Sequence, residues 1–560
     1  MAAAIRIIIN LKIISRMKKT ILFFIAIILF SNSGYTQPTT VQQAIKSKIE
    51  LGVDTKTISA DGVILYSQDI LPAYYESVDY APVWDSQQNI DELIVSIKES
   101  YDEGLIPNDY HLERIEMLIE KTKANPNLDK TADLDLLMTD AVMLYATHLI
   151  IGKVDQSKIA KGWDVPPNAL PENDGVLLNN ALKSNSLTAA LGSIKPDNFM
   201  YVHLRNGLKN YREIAENGGW PSIMPGVVLK SGTNDERVLK LRQYLIITGD
   251  MPANTTSLND SIYDENVETA VKRFQFRHNL TQDGVVGKGT LGVINIPVEQ
   301  RIDEIRINME RARWVIHHLP DDFMVVNIAG YNVRRITNDS VVYYSRVIVG
   351  RHYHETPIFK GKMIYAEINP TWTLPYSIAT KETLPKLQKN PNYLAEKNMI
   401  IMDRNGTVLD PSTIDFNSLS RNNFPYIVRQ KAGPHNALGQ VKFIFPNSYA
   451  VYLHDTPSRS LFSREERAFS HGCIRLDKKW ELLMNLMDEP EVWNMTKINE
   501  ILKTEKTTRV NLKKPIEILL LYWTAGADKQ DELFFNKDVY DRDARVLKEL
   551  DKPYVFKVAK

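Results

Sequence analysis

The chain has 560 residues, 68 Lys+Arg against 68 Asp+Glu for a formal net charge of zero, 44% hydrophobic and 24% charged residues. These values fit ordinary globular protein in three to four domains of ~150 residues, and they exclude the basic face that nucleic-acid binding needs. With one cysteine, Cys473, no internal disulfide can form.

At the N-terminus Met17-Lys18-Lys19-Thr20 is a basic n-region, Ile21 to Phe30 a run of ten apolar residues, and 31–37 small and polar. That layout reads as an export signal over 1–36, with Met17 as the expected true start. No Cys follows the apolar run, so a lipoprotein anchor is not expected. The cleavage site is weak, with Gly34 and Thr36 as its small residues, and an uncleaved signal anchor is the alternative. Only through that segment is a membrane expected as partner, and the expected location is the periplasm or cell envelope.

From 41 to 227 the period is helical, as in Ile90 to Ile97 and Leu134 to Ile151. His111, His148 and His203 are isolated there and read as structural histidines in a helical scaffold domain. A second unit spans 228–297. Val238, Leu241 and Leu245 make one helix face, and Val267, Val271 and Phe274 another. Asp283-Gly284-Val285-Val286-Gly287 then offers two glycines for a turn with positive φ, and Thr290 a cap for a last short helix. The pattern Ala270-Val271-x-x-Phe274-Gln275, the Asp-Gly-x-x-Gly turn and the Thr resemble the peptidoglycan-binding domain family. That resemblance implies a small three-helix module whose partner is glycan, with bracing of a neighbouring domain as the equal alternative.

From Phe323 the period becomes that of strands: Phe323 to Ile328, Ser340 to Gly350, Val441 to Phe445, Ala450 to His454 and Ile516 to Trp523. They define a mainly-β domain over 320–545. A Pro-, Asn- and Lys-rich insertion over 376–440 interrupts it and is expected to act as a lid. The expected fold class is multidomain α+β.

An exported free cysteine flanked by glycine and histidine reads as a thiol kept for reactivity. At pKa ~8.5 a thiol is only a few per cent thiolate at neutral pH, so its chemistry needs an imidazole within reach. His454 and His471 are the candidates. His471 sits two residues before the thiol in a tight turn, whereas His454 arrives from another strand and is preferred, with Asp455 to orient its ring.

His454-x15-Ser470-His471-Gly472-Cys473-x-Arg475 resembles the signature of the L,D-transpeptidase (YkuD) catalytic domain, and the whole layout resembles its large YcbB-type members. Val347 to Gly350, Thr356-Pro357 and Asn369 to Pro375 are further landmarks. The resemblance implies a cysteine acyltransferase of peptidoglycan, with Cys473 as nucleophile and His454 as general acid and base. It implies acyl transfer through a thioester, release of a terminal D-Ala from a donor tetrapeptide stem, and 3-3 cross-links. Stem peptides and glycan are the implied partners, and carbapenems the implied acylating inhibitors. Backbone amides of Gly472 and Cys473 are expected to hold the oxyanion, supported by Ser470 and His471. Gly472 is expected to allow close approach of the substrate. Arg475 is expected to meet a carboxylate, with an internal acid favoured over the substrate's. Trp372 and Tyr452 are the expected substrate-binding residues.

Water as acceptor would give an L,D-carboxypeptidase, and loss of Cys or His would have indicated a non-catalytic wall-binding scaffold. His317-His318 and His352-x-His354 offer metal-ligand residue types, but neither lies in an H-E-x-x-H or Cys-rich set. No cofactor or metal is expected.

Overall fold

The computed structural model describes residues 38–159, 163–166, 174–254, 261–315 and 319–554. The expected export signal and His317-His318 lie outside them.

The helical periodicity of the first unit folds as a bundle. Ile90 to Ile97 lie within the helix Gln87–Glu99, and Leu134 to Ile151 within Leu128–Ile151, where Asn127 caps the first turn through Lys130 N. That 24-residue helix is long and apolar enough to cross a membrane, but 78% of its apolar window is buried inside the fold. His148 on it is buried against Tyr110, and His111 pairs with Asp140 at 2.8 Å. The far end of the chain returns to this bundle. Lys153 Nζ donates to Leu550 O at 2.6 Å, and the Tyr554 ring packs edge-on against His148 and Tyr66.

The second unit has its own apolar core, in which Val238, Leu241, Leu245, Val267, Val271 and Phe274 are buried. Two details differ from expectation. Only Gly284 of the turn glycines has positive φ, at 69°. The last helix, Lys288–Ile294, is preceded by Gly287. Thr290 is buried inside that helix rather than capping it, its hydroxyl donating to Val285 O and accepting from Gln275 Nε2. The module is docked on the β domain. Arg277 forks onto Asp250 and donates to Leu533 O at 2.8 Å, Arg273 meets Glu532 at 2.8 Å, and Thr281 N donates to Glu465 at 2.7 Å.

Among the described residues the largest sheet has ten strands, and eight of them close into a ring. The order is 441–444, 453–454, 474–476, 340–350, 332–337, 322–327, 508–521, 358–368 and back to 441–444. The strand Thr508–Leu521 is paired on one side with Asp322–Asn327 and on the other with Ile358–Ile368. The expected strand at Ala450 to His454 is only Leu453–His454, because Ala450 takes a left-handed φ of 54° that a strand excludes.

The insertion is more than a loop. Leu374, Leu384, Leu387, Leu394, Ile401, Phe416 and Val428 form a third core, and a four-stranded sheet covers it, starting at Trp372–Thr373, upstream of the expected boundary. Its two ends meet where Ile368 pairs with Val441 and Asn369 N donates to Gln440 O at 2.9 Å.

Candidate active site

Two short parallel strands build the site. Leu453 pairs with Ile474 and His454 with Arg475, and Ile474 N donates to Tyr452 O at 3.1 Å. Because side chains alternate along a strand, Leu453 and Ile474 are buried in the core, while Tyr452, His454, Cys473 and Arg475 share the opposite face. The sequence separation between Cys473 and His454 is thereby reduced to neighbouring strands.

Cys473 is half-buried. Burial pushes its thiol up, opposed by hydrogen bonds from Tyr452 and by the Arg475 charge. The sulfur donates to Ala450 O at 3.7 Å, the Tyr452 phenol interacts with both the sulfur and Trp372, and burial raises that phenol well above its usual range. Tyr452, expected at the substrate, is therefore also a partner of the thiol, and Trp372 is brought to it from the edge of the insertion.

His454 is 5% exposed. Its Nδ1 lies 2.5 Å from Asp455 O, so Nδ1–H donates there, and the Leu438 carbonyl also lies against the ring. Burial, then the Arg475 charge, pulls its pKa down to about 3, which leaves a neutral imidazole at pH 7. Among the described residues no hydrogen bond joins His454 to Sγ. Asp455 orients the ring by its backbone carbonyl alone. Its side chain is taken by Lys479 at 2.6 Å and by Gln440 N at 2.9 Å.

The turn before the thiol is held from both sides. Gly472 N donates to Ser470 Oγ at 3.1 Å, Ser470 Oγ donates to Cys473 O at 2.5 Å, and Thr356 Oγ1 donates to Gly472 O at 2.9 Å. Of the two amides expected at the oxyanion, that of Gly472 is engaged by Ser470 in this structure. Gly472 also has φ 114°, and a Cβ there would come no closer than 3.8 Å to any atom. The need for glycine in the turn itself is conformational rather than steric.

His471 faces away from the sulfur. Its Nε2 lies 2.7 Å from Glu382 of the insertion and 3.0 Å from Arg351 Nη2, and its ring lies 5.1 Å from that of His354. The expected internal acid for Arg475 is absent: among the described residues no Asp or Glu pairs with it, and its Nε is buried without a partner. His352 reaches Asp541 at 3.2 Å, and no group of three or more His, Cys, Asp or Glu suited to a metal occurs among the described residues.

Chemically, a thiol, a neutral imidazole, a phenol beside the sulfur and a guanidinium without a carboxylate suit nucleophilic attack on a carbonyl near an anion.

Three domain families match the chain: a scaffold domain at 69–208, a "putative peptidoglycan binding domain" at 234–294 and the L,D-transpeptidase catalytic domain at 321–510. A curated protein of Haemophilus influenzae (strain ATCC 51907 / DSM 11121 / KW20 / Rd), named "Putative L,D-transpeptidase", is 37% identical over 245 residues, 43% of this chain and 48% of the relative. The match thus spans about half of that relative's length. A crystal structure of an L,D-transpeptidase from Stackebrandtia nassauensis aligns at 13% identity over 54% of this chain and 96% of its own, with a TM-score of 0.21, too low to carry an argument.

Proposed function

From a chain that carries the YkuD L,D-transpeptidase catalytic domain behind a scaffold domain and a peptidoglycan-binding domain, we propose a cell-envelope enzyme that cross-links peptidoglycan stems through a thioester on Cys473. The observation that supports it best is the shared face of Tyr452, His454, Cys473 and Arg475, with His454 neutral and pinned through Nδ1.

The Cys473 sulfur attacks the carbonyl that joins the third stem residue to the terminal D-Ala. The C–N bond breaks, D-Ala leaves as an amine with a proton from His454, and a thioester remains. The side-chain amine of a second stem then attacks, the C–S bond breaks, and His454 takes the proton from the new amide nitrogen. Because His454 Nε2 starts neutral, it accepts the thiol proton as the attack begins rather than holding a standing ion pair. The Cys473 amide stabilises the oxyanion, a contribution of ~3 kcal/mol for a well-placed donor.

Incubation with defined stem tetrapeptides and mass spectrometry tests this. Cys473 should gain the mass of the donor minus D-Ala, and cross-linked dimer should follow. Cys473→Ala should form neither. Cross-linking by Cys473→Ala would refute the thioester, and hydrolysed tripeptide as the sole product would favour the carboxypeptidase reading.

A further inference from the structure

Among the described residues, Arg475 beside the thiol and Arg351 next to it have no carboxylate partner. Arg475 lies two residues beyond Cys473 on the same face, and Arg351 directly follows the neighbouring strand Ser340–Gly350. The Nε of each is buried without a hydrogen-bond partner. Arg351 spends its other nitrogens on the Tyr353 hydroxyl at 2.5 Å and the His471 ring at 3.0 Å. The positive charge of Arg351 acts on Arg475, which burial also holds below its usual range. Glu382, the acid brought in by the insertion, is directed to His471. Unpaired guanidinium at this depth is costly and is retained where an anion arrives to pair it.

We propose that Arg475, assisted by Arg351, is the receptor for the free carboxylate of the donor's C-terminal residue. The inference rests on the transpeptidase reading and adds the group that fixes which end of a peptide enters. The geometry fits. Two residues of strand separate the Cys473 and Arg475 Cα atoms by ~6.6 Å, and a C-terminal residue carries its carboxylate within one ~3.8 Å Cα step of the attacked carbonyl. With the carbonyl at Sγ, the carboxylate falls towards the Arg475 fork, which suits bidentate pairing. The diamino acid of the stem bears a carboxylate too, but on its side chain, several bonds from the scissile amide.

The test compares three donors on the full chain: the tetrapeptide acid, the same peptide with a C-terminal carboxamide, and one amidated only on the diamino acid side chain. The wild type should prefer the acid over the C-terminal carboxamide on the order of 10- to 100-fold in kcat/KM for acylation, as expected for a charge-assisted pair. The side-chain amide should react like the acid. In Arg475→Gln the acid-to-carboxamide ratio should fall towards one, and Arg475→Lys should be intermediate. All donors meet the same thiol, so the ratio within each variant cancels changes in sulfur reactivity or in folded fraction. A wild type indifferent to C-terminal amidation, a preference that follows the side-chain carboxylate instead, or an unaltered ratio in Arg475→Gln would overturn the receptor while leaving the transpeptidase reading intact. No acylation of Cys473 by any donor would overturn both.

Discussion

At the scale of single residues, the protonation states set the behaviour of the thiol. His454 stays neutral down to about pH 3, and burial raises the Cys473 pKa. Alkylation of Cys473 by iodoacetamide should therefore rise with pH along one limb above neutrality, with no inflection near 6.5, and His454→Gln should keep that limb. Full reactivity already at pH 6 would reveal a thiolate–imidazolium pair instead. Gly472→Ala forces an L residue to φ 114°, at a cost of about 1–3 kcal/mol, so it should lower both the melting temperature and acylation. A variant indistinguishable from the wild type would show that the turn relaxes freely. Residue type and spacing single out Cys473 and His454 as candidates, and the structure brings them onto neighbouring strands. The thiol contact of Tyr452 and the missing acid of Arg475 were not legible, because both depend on the register between strands far apart in the chain.

Elements were legible in proportion to how local their signal is. Helices with an apolar stripe fell where the period put them, and Ser340–Gly350 matches its β-branched run. The strand Ile358–Ile368 escaped notice because Gly361 and two lysines break its alternation. The strand at 450–454 shrank because Ala450 turns the chain. The core of the insertion has no local signal, because it is assembled from apolar residues scattered over more than fifty positions. Its ends already meet at Asn369 and Gln440, so a short turn can replace it without straining the ring. That replacement should leave Cys473 open to alkylation while hydrolysis rises relative to cross-linking, since a lid keeps water from the thioester. Glu382→Ala, which removes the contact with His471, should move the product ratio in the same direction by less. An unchanged ratio in the shortened enzyme would remove the lid from the mechanism.

Across the whole molecule, each of three units buries a neutral histidine: His148 in the scaffold, His278 in the small module and His454 in the β domain, all held down chiefly by desolvation. Their folded pKa values lie below the unfolded value near 6.5, so below pH 6.5 the unfolded chain takes protons that the folded one refuses. Stability should fall as the pH drops from 6.5 towards 3, by about 2 kcal/mol per histidine at pH 5. Thermal melts at pH 7 and pH 5 check this, and His278→Leu should narrow the gap between them. An equal gap in that variant would remove His278 from the account. The return of the C-terminus to the scaffold bears on the protein's birth as well as its architecture. Lys153 and its partner Leu550 are 397 residues apart, and the ring lacks one of its strands until Thr508–Leu521 is made. At a ribosomal pace of 5–20 residues per second, the first helices wait roughly 20–80 s for the segment that covers them. Until then that contact cannot form, and a chain that stopped short of Leu550 would take a partner from helices made long before it.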